Sequence, residues 1–168
     1  MTDSKVVVSE EALRSRVYDL GEEISRDYAG TELDVVCFIN GASTFCADLV
    51  RHIRVPTRQH FLGFASYPQG NANGEVRVTL DITEPLFGRH VIVVEGIVVS
   101  GRTIKYVLDM LALRRPESLV MCALGVKRAQ LAVDLPLKYV GFEMGPEIVM
   151  GYGVGSGVER ALPHLVAR

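Results

Sequence analysis

The chain of 168 residues has no tryptophan and only three cysteines. It also lacks any apolar run approaching the ~20 residues that a membrane-crossing helix needs. Cys37, Cys46 and Cys122 are odd in number, far apart and form no CxxC pair, which argues against a redox or metal role. Each stands in apolar surroundings, so each reads as a small buried thiol in a reducing, cytoplasmic setting. Charge of one sign is missing too: the formal net charge is -2, which gives no support for a broad electrostatic grip on nucleic acid or an anionic membrane. The first residues, "MTDSKVVVSEEALRSR", have no long apolar core and are broken by acids, so they do not read as a signal peptide. GxxxxGK[ST] and GxGxxG are both absent, so neither a Walker loop nor a dinucleotide fingerprint is present.

What is there is a chain in which 48% of residues are hydrophobic, enough for one domain over residues 1–168 with a substantial core. "SEEALRSRVYDLGEEISRDYAG" reads as a helix with Ser9 as N-cap and Gly30 as its stop. Its Leu13, Val17, Leu20, Ile24 and Tyr28 make one apolar face. "LDVVCFIN" is a buried strand, and "ASTFCADLVRHI" the helix after it, with Pro56 as a barrier. "QHFLGFASY" and "EVRVTLDI" are two β-rich arms around a polar, glycine-containing connection. "HVIVVEG", "SLVMCALG", "KYVGFE" and "EIVMGYGV" are further strands, and "GRTIKYVLDMLALRR" a helix. Continuous apolar runs alternating with helices predict an α/β domain: a mainly parallel twisted sheet covered on both faces. In such a sheet, ligands sit beyond the carboxyl ends of the strands. Those ends are Asn40-Gly41, Glu95 to Thr103, Gly125 to Lys127, and Glu143 onward.

One of them stands out. Ser100-Gly101-Arg102-Thr103 carries a strand into a helix, which aims several backbone N–H groups at one point. The helix dipole adds about half a positive charge there. Two hydroxyls supply further donors, and Gly101 permits close approach. A phosphate monoester suits such a turn, although by itself the turn is equally consistent with a plain helix cap.

The turn and its neighbours resemble the phosphoribosyl-diphosphate signature of the type I phosphoribosyltransferases, closest to the hypoxanthine-guanine branch. The resemblance runs through "VYDLGEEISRDYAG", "CFINGASTFCADLVRHI", "SYPQGNANGEV", "SGRTIKYVLDMLALRRPESLVMCAL", "LKYVGFEM" and "VMGYGV". It implies a small hood beside the sheet, a flexible hairpin loop, purine salvage from phosphoribosyl diphosphate, a purine 5′-monophosphate product, Mg2+ as cofactor, and a homodimer or homotetramer. By position it makes Ser100, Gly101, Arg102 and Thr103 the 5′-phosphate cradle. Glu95 falls on the ribose-holding acid and potential metal ligand. Asn40 and Gly41 form the diphosphate loop, joined by Arg160. Lys127 would face the purine's exocyclic oxygen, Tyr139 would stack on the base, and Val140 would read the purine edge through its backbone. Ser66 and Tyr67 would close over the reacting centre.

Several positions depart from that pattern. The second acid after Glu95 is Gly96, and the acid expected to take the purine's proton is Val99. A lysine is replaced by Asn40, and Pro146 stands where a metal-approaching aspartate is expected, with Glu147 one place late. Valine accepts no proton, yet a general base typically contributes about 100- to 10,000-fold, so its loss slows such a reaction rather than abolishing it. Two functions follow: a phosphoribosyltransferase with weakened or altered catalysis, or a catalytically silent nucleotide-binding regulator or partner subunit. The pattern also predicts that aspartates returned to positions 96 and 99 together raise turnover.

Overall fold

The computed structural model describes residues 4–39, 41–66 and 76–168. Strand β1 (Lys5–Val8) leads into helix α1 (Glu10–Asp27). The Ser9 hydroxyl accepts from the Ala12 N–H at 3.2 Å, capping α1, while Glu10 and Glu11 favour its positive end. Leu13, Val17, Leu20 and Ile24 are its buried stripe. Strand β2 (Leu33–Phe38), helix α2 (Ser43–Val50) and strands β3 (Thr57–Ser66) and β4 (Val76–Leu80) follow. Then come β5 (His90–Val98), α3 (Arg102–Ala112), β6 (Ser118–Val126), β7 (Leu137–Glu143), β8 (Val149–Met150) and β9 (Leu165–Ala167).

Six strands form the main sheet in the order β4-β3-β2-β5-β6-β7. All neighbours are parallel except the antiparallel β3–β4 pair; the connection between these arms, where a hairpin loop is expected, lies outside the described residues. The period of two sends alternate β2 residues to opposite faces. Val35 and Cys37 join the core under α1 and α2, whereas Val36 and Phe38 join the core under α3. Burial on both faces explains why these strands read as unbroken apolar runs. The three cysteines are free and buried, Cys37 in β2, Cys46 on the inner face of α2 and Cys122 in β6.

The chain leaves β2 towards β3 on one side and returns as β5 on the other. The ends of β2 and β5 are thus the place where strand order reverses, and the two outgoing loops part to leave a crevice there.

A second sheet, β1-β9-β8, makes the small hood. Its short strands, such as β1 and β9, carry too few residues to show a period in the sequence. "EIVMGYGV" supplies only Val149–Met150 as ladder, closed by a Gly151–Val154 bridge. Helix α2 ends at Val50, three residues before Ile53, because residues 51–52 turn and the His52 N–H bonds back to the Leu49 carbonyl. No helix among the described residues is long and apolar enough to cross a membrane.

Candidate functional site

The turn after β5 is open. Val99 is 40% exposed, Ser100 and Arg102 are exposed and Thr103 is half-buried. Gly101 has φ +75°, and a Cβ there would lie 2.8 Å from Leu135 Cδ1. Only glycine makes this turn without strain. The carbonyls of the turn are drawn aside: Ser100 O accepts from the Ala132 N–H at 3.0 Å and Gly101 O from the Lys105 N–H at 2.8 Å. No side chain caps α3. Its first-turn N–H groups, which have no acceptors within the helix, therefore remain available to an outside anion.

Glu95 stands one turn of pleat below, partly buried, with Oε1 accepting from the Gly96 N–H at 2.6 Å. Burial pushes its carboxyl up from 4.5 to about 7, against the opposing pull of that hydrogen bond. The loop from β2 lies beside it: a Cβ on Gly41 would stand 3.3 Å from Glu95 Oε1. Asn40 and Tyr67 lie outside the described residues, and Ser66 is the last residue of β3.

Lys127 extends from the end of β6 and is 92% buried, 8% exposed. Its Nζ donates to Glu147 O at 2.6 Å and Pro146 O at 3.3 Å. A solvated loop charge would do neither. The ammonium ties down the segment that leaves β7 and holds a positive charge at that edge of the crevice.

Two expectations fail. Tyr139 is 3% exposed, packed in the core, and its hydroxyl donates to Asp27 Oδ2 at 2.6 Å. Burial and that carboxylate both push the phenol upward. A ring so enclosed offers no face to a purine. The Val140 carbonyl accepts from Arg16 Nη2 at 2.7 Å, and the Gly141 carbonyl from Arg16 Nε at 3.1 Å, so α1 holds this stretch of backbone. Both residues lie within β7, short of its carboxyl end at Glu143. The exposed apolar surface next to the Lys127 ammonium is instead Ile148, 67% exposed and adjacent to the carbonyl that Lys127 holds. An isolated isoleucine before a two-residue strand gave no sign of this.

Arg160 lies near the start of α2, the helix that follows the β2 loop. It lines a cavity of about 500 Å³ between α1, α2 and the hood, with Leu13, Arg14, Asp48, Arg51 and Tyr152 among its neighbours. Its Nε donates to Gly153 O at 2.8 Å, and Gly153 packs on Thr44 at the start of α2. Arg160 thus stands behind the β2 loop. Among the described residues, no cluster of three or more His, Cys, Asp or Glu side chains gathers to hold a metal. Glu95 is the acid available in the crevice.

The phosphoribosyl transferase domain family matches residues 7–156. Hypoxanthine phosphoribosyltransferase of Haemophilus influenzae is 38% identical over 153 residues, covering 89% of this chain and 86% of that protein. The Salmonella typhimurium enzyme of the same name is 35% identical, covering 96% and 93%. A crystal structure of a hypoxanthine-guanine phosphoribosyltransferase from Bacillus anthracis superposes with TM-score 0.90 at 34% identity, covering 98% of each chain.

Proposed function

Because this chain belongs to the phosphoribosyltransferase family, we propose that it joins an oxopurine of the hypoxanthine or guanine type to the ribose of phosphoribosyl diphosphate, with slowed proton transfer. The observation that carries the reading is the open Ser100–Thr103 turn at the switch point, flanked by Glu95 on one side and the Lys127 ammonium on the other. The turn anchors the 5′-phosphate through N–H groups and hydroxyls. Glu95 accepts from the ribose hydroxyls. Lys127 faces the purine's exocyclic oxygen, and Ile148 supplies the apolar shelf.

In the reaction the bond from the anomeric carbon to diphosphate breaks and a bond to a purine nitrogen forms, with diphosphate taking the electron pair. The nitrogen's proton must leave as well. Val99 occupies the expected acceptor position with no lone pair, so the proton passes to water at the exposed turn. Fixing both reactants and the developing charge remains the main contribution of the site.

Magnesium fits this donor set only as an ion arriving with the diphosphate. Glu95 would hold it with water and phosphate oxygens, in keeping with magnesium's preference for few carboxylates. The ion would neutralise the departing diphosphate. We place the working unit in the cytoplasm as a homodimer or homotetramer. The alternative, a silent nucleotide-binding subunit, draws on Val99.

Incubation of pure protein with phosphoribosyl diphosphate, Mg2+ and hypoxanthine or guanine tests the reading. Nucleotide identified by mass, formed slowly, is expected. Tight binding of the monophosphate without any product would favour the silent subunit, and absence of both would remove the site.

A further inference from the structure

Gly96 looks like a missing acid when only the chain is read. In three dimensions its bare Cα is occupied space. A Cβ at this position would overlap the Gly41 carbonyl oxygen, lie 3.0 Å from the Gly41 carbonyl carbon, and reach 3.3 Å from Val154 Cγ2. Gly96 itself is buried. Backbone from the β2 loop therefore rests directly on backbone of β5, with Val154 of the hood as the third wall. On the other side of the same loop, the Ala42 N–H bonds to the Phe38 carbonyl at 3.2 Å, which fixes the peptide plane after Gly41. Gly41 approaches the Glu95 carboxylate as well, so the loop, the acid and the strand form one contact.

We infer that Gly96 is a positioning residue for the diphosphate loop, and that the Gly41 carbonyl is seated on it so as to turn an oxygen lone pair inward, away from an incoming diphosphate. This rests on the proposed reaction, because only there does residue 41 meet diphosphate. The physical reason is direct. A carbonyl oxygen facing a polyanion repels it, and seating this one against Gly96 removes that repulsion. Any side chain at 96 must push that oxygen outward, because the obstacle is backbone rather than the free end of a flexible chain. The substitution of an acid by glycine thus couples two segments, and it makes simple restoration of the acid self-defeating.

The test compares one ligand held at the loop with one held at the cradle. Inorganic pyrophosphate with Mg2+ probes the loop, and inosine or guanosine 5′-monophosphate probes the turn, both by titration calorimetry on the full chain. For Gly96→Ala the pyrophosphate Kd rises at least tenfold while the monophosphate Kd stays within about twofold, and KM for phosphoribosyl diphosphate rises more than kcat falls. Equal weakening of both ligands, or no change in either, overturns the inference. Should Gly96→Ala fail to fold, Val154→Ala removes the hood wall without adding bulk. It is expected to weaken pyrophosphate three- to tenfold and to spare the monophosphate, and an unchanged pyrophosphate Kd sinks the idea. Unaltered protein that binds neither ligand would defeat the proposed function instead, so the two failures are distinguishable.

Discussion

The ammonium of Lys127 donates to the carbonyl of Glu147 at 2.6 Å, twenty residues further along the chain, while being almost wholly buried. One side chain thereby joins the end of β6 to the segment after β7 and places its charge next to Ile148. Hydrogen bonds to charged groups contribute roughly 1.5–3 kcal/mol.

Lys127→Met keeps the length and the apolar stem but removes the charge. KM for hypoxanthine or guanine is expected to rise about 10- to 100-fold, the equivalent of that energy. Affinity for phosphoribosyl diphosphate should stay within about twofold. Steady-state kinetics with each substrate varied in turn distinguishes this from general damage, which would raise both.

Val99 is 40% exposed at the mouth of the turn, so an aspartate fits there without repacking. Val99→Asp alone is expected to raise kcat by about 100-fold, the lower end of what a general base contributes. Adding Gly96→Asp should cancel the gain, because its side chain collides with Gly41. The sequence pattern predicts the opposite, that both acids together raise turnover. Turnover of the single and double variants decides between them.

Glu95 carries a pH signature. Burial raises its carboxyl from 4.5 to about 7 in the folded protein, so the folded state keeps a proton that the unfolded chain gives up. Its stabilising effect is therefore full below about pH 4.5 and is lost as pH rises towards 7. Glu95→Gln should remove this slope and stand at most about 3 kcal/mol above the unaltered protein at pH 8. Urea unfolding from pH 5 to 8 measures it. If Glu95 accepts from the ribose hydroxyls as proposed, binding of phosphoribosyl diphosphate should strengthen over the same interval.

Asp34 acts in the other direction, at the far end of the sheet. Burial alone would raise its carboxyl, but hydrogen bonds from His60 at 2.6 Å, Arg89 at 2.6 Å and Arg58 at 2.9 Å outweigh that and lower it. Its contribution is present above the ordinary carboxylate range and disappears as pH falls through the lowered folded value. Asp34→Asn leaves two arginines facing a neutral group in a buried place. Because Arg89 keeps Glu32 and Arg58 keeps Glu84, a loss of about 1–3 kcal/mol at pH 7 is expected, with a flatter acid limb in thermal melts at successive pH values.

Legibility differed from one part of the chain to another. β2 and β5 were readable because burial on both faces demands continuous apolar residues, and α1 because a single buried face demands a 3.6-residue period. The Ser100–Thr103 cradle was readable because strand, turn and helix are contiguous. Tyr139 misled because an aromatic within a strand has the same composition whether it faces a ligand or an α-helix. Ile148 was invisible because its significance comes from Lys127, which is distant in the chain.

Local order, then, belongs to the sequence alone: which segments are strands, which helix has an open N-terminus, and that an anion suits the turn between them. These follow from periodicity and from backbone groups that neighbours along the chain leave unsatisfied. Only tertiary packing decided that Lys127 is buried, that Arg160 stands behind the β2 loop, and that Gly96 is filled by Gly41. Those outcomes depend on which backbones meet across the sheet, and contact between segments 55 residues apart leaves no mark on either segment's own spacing.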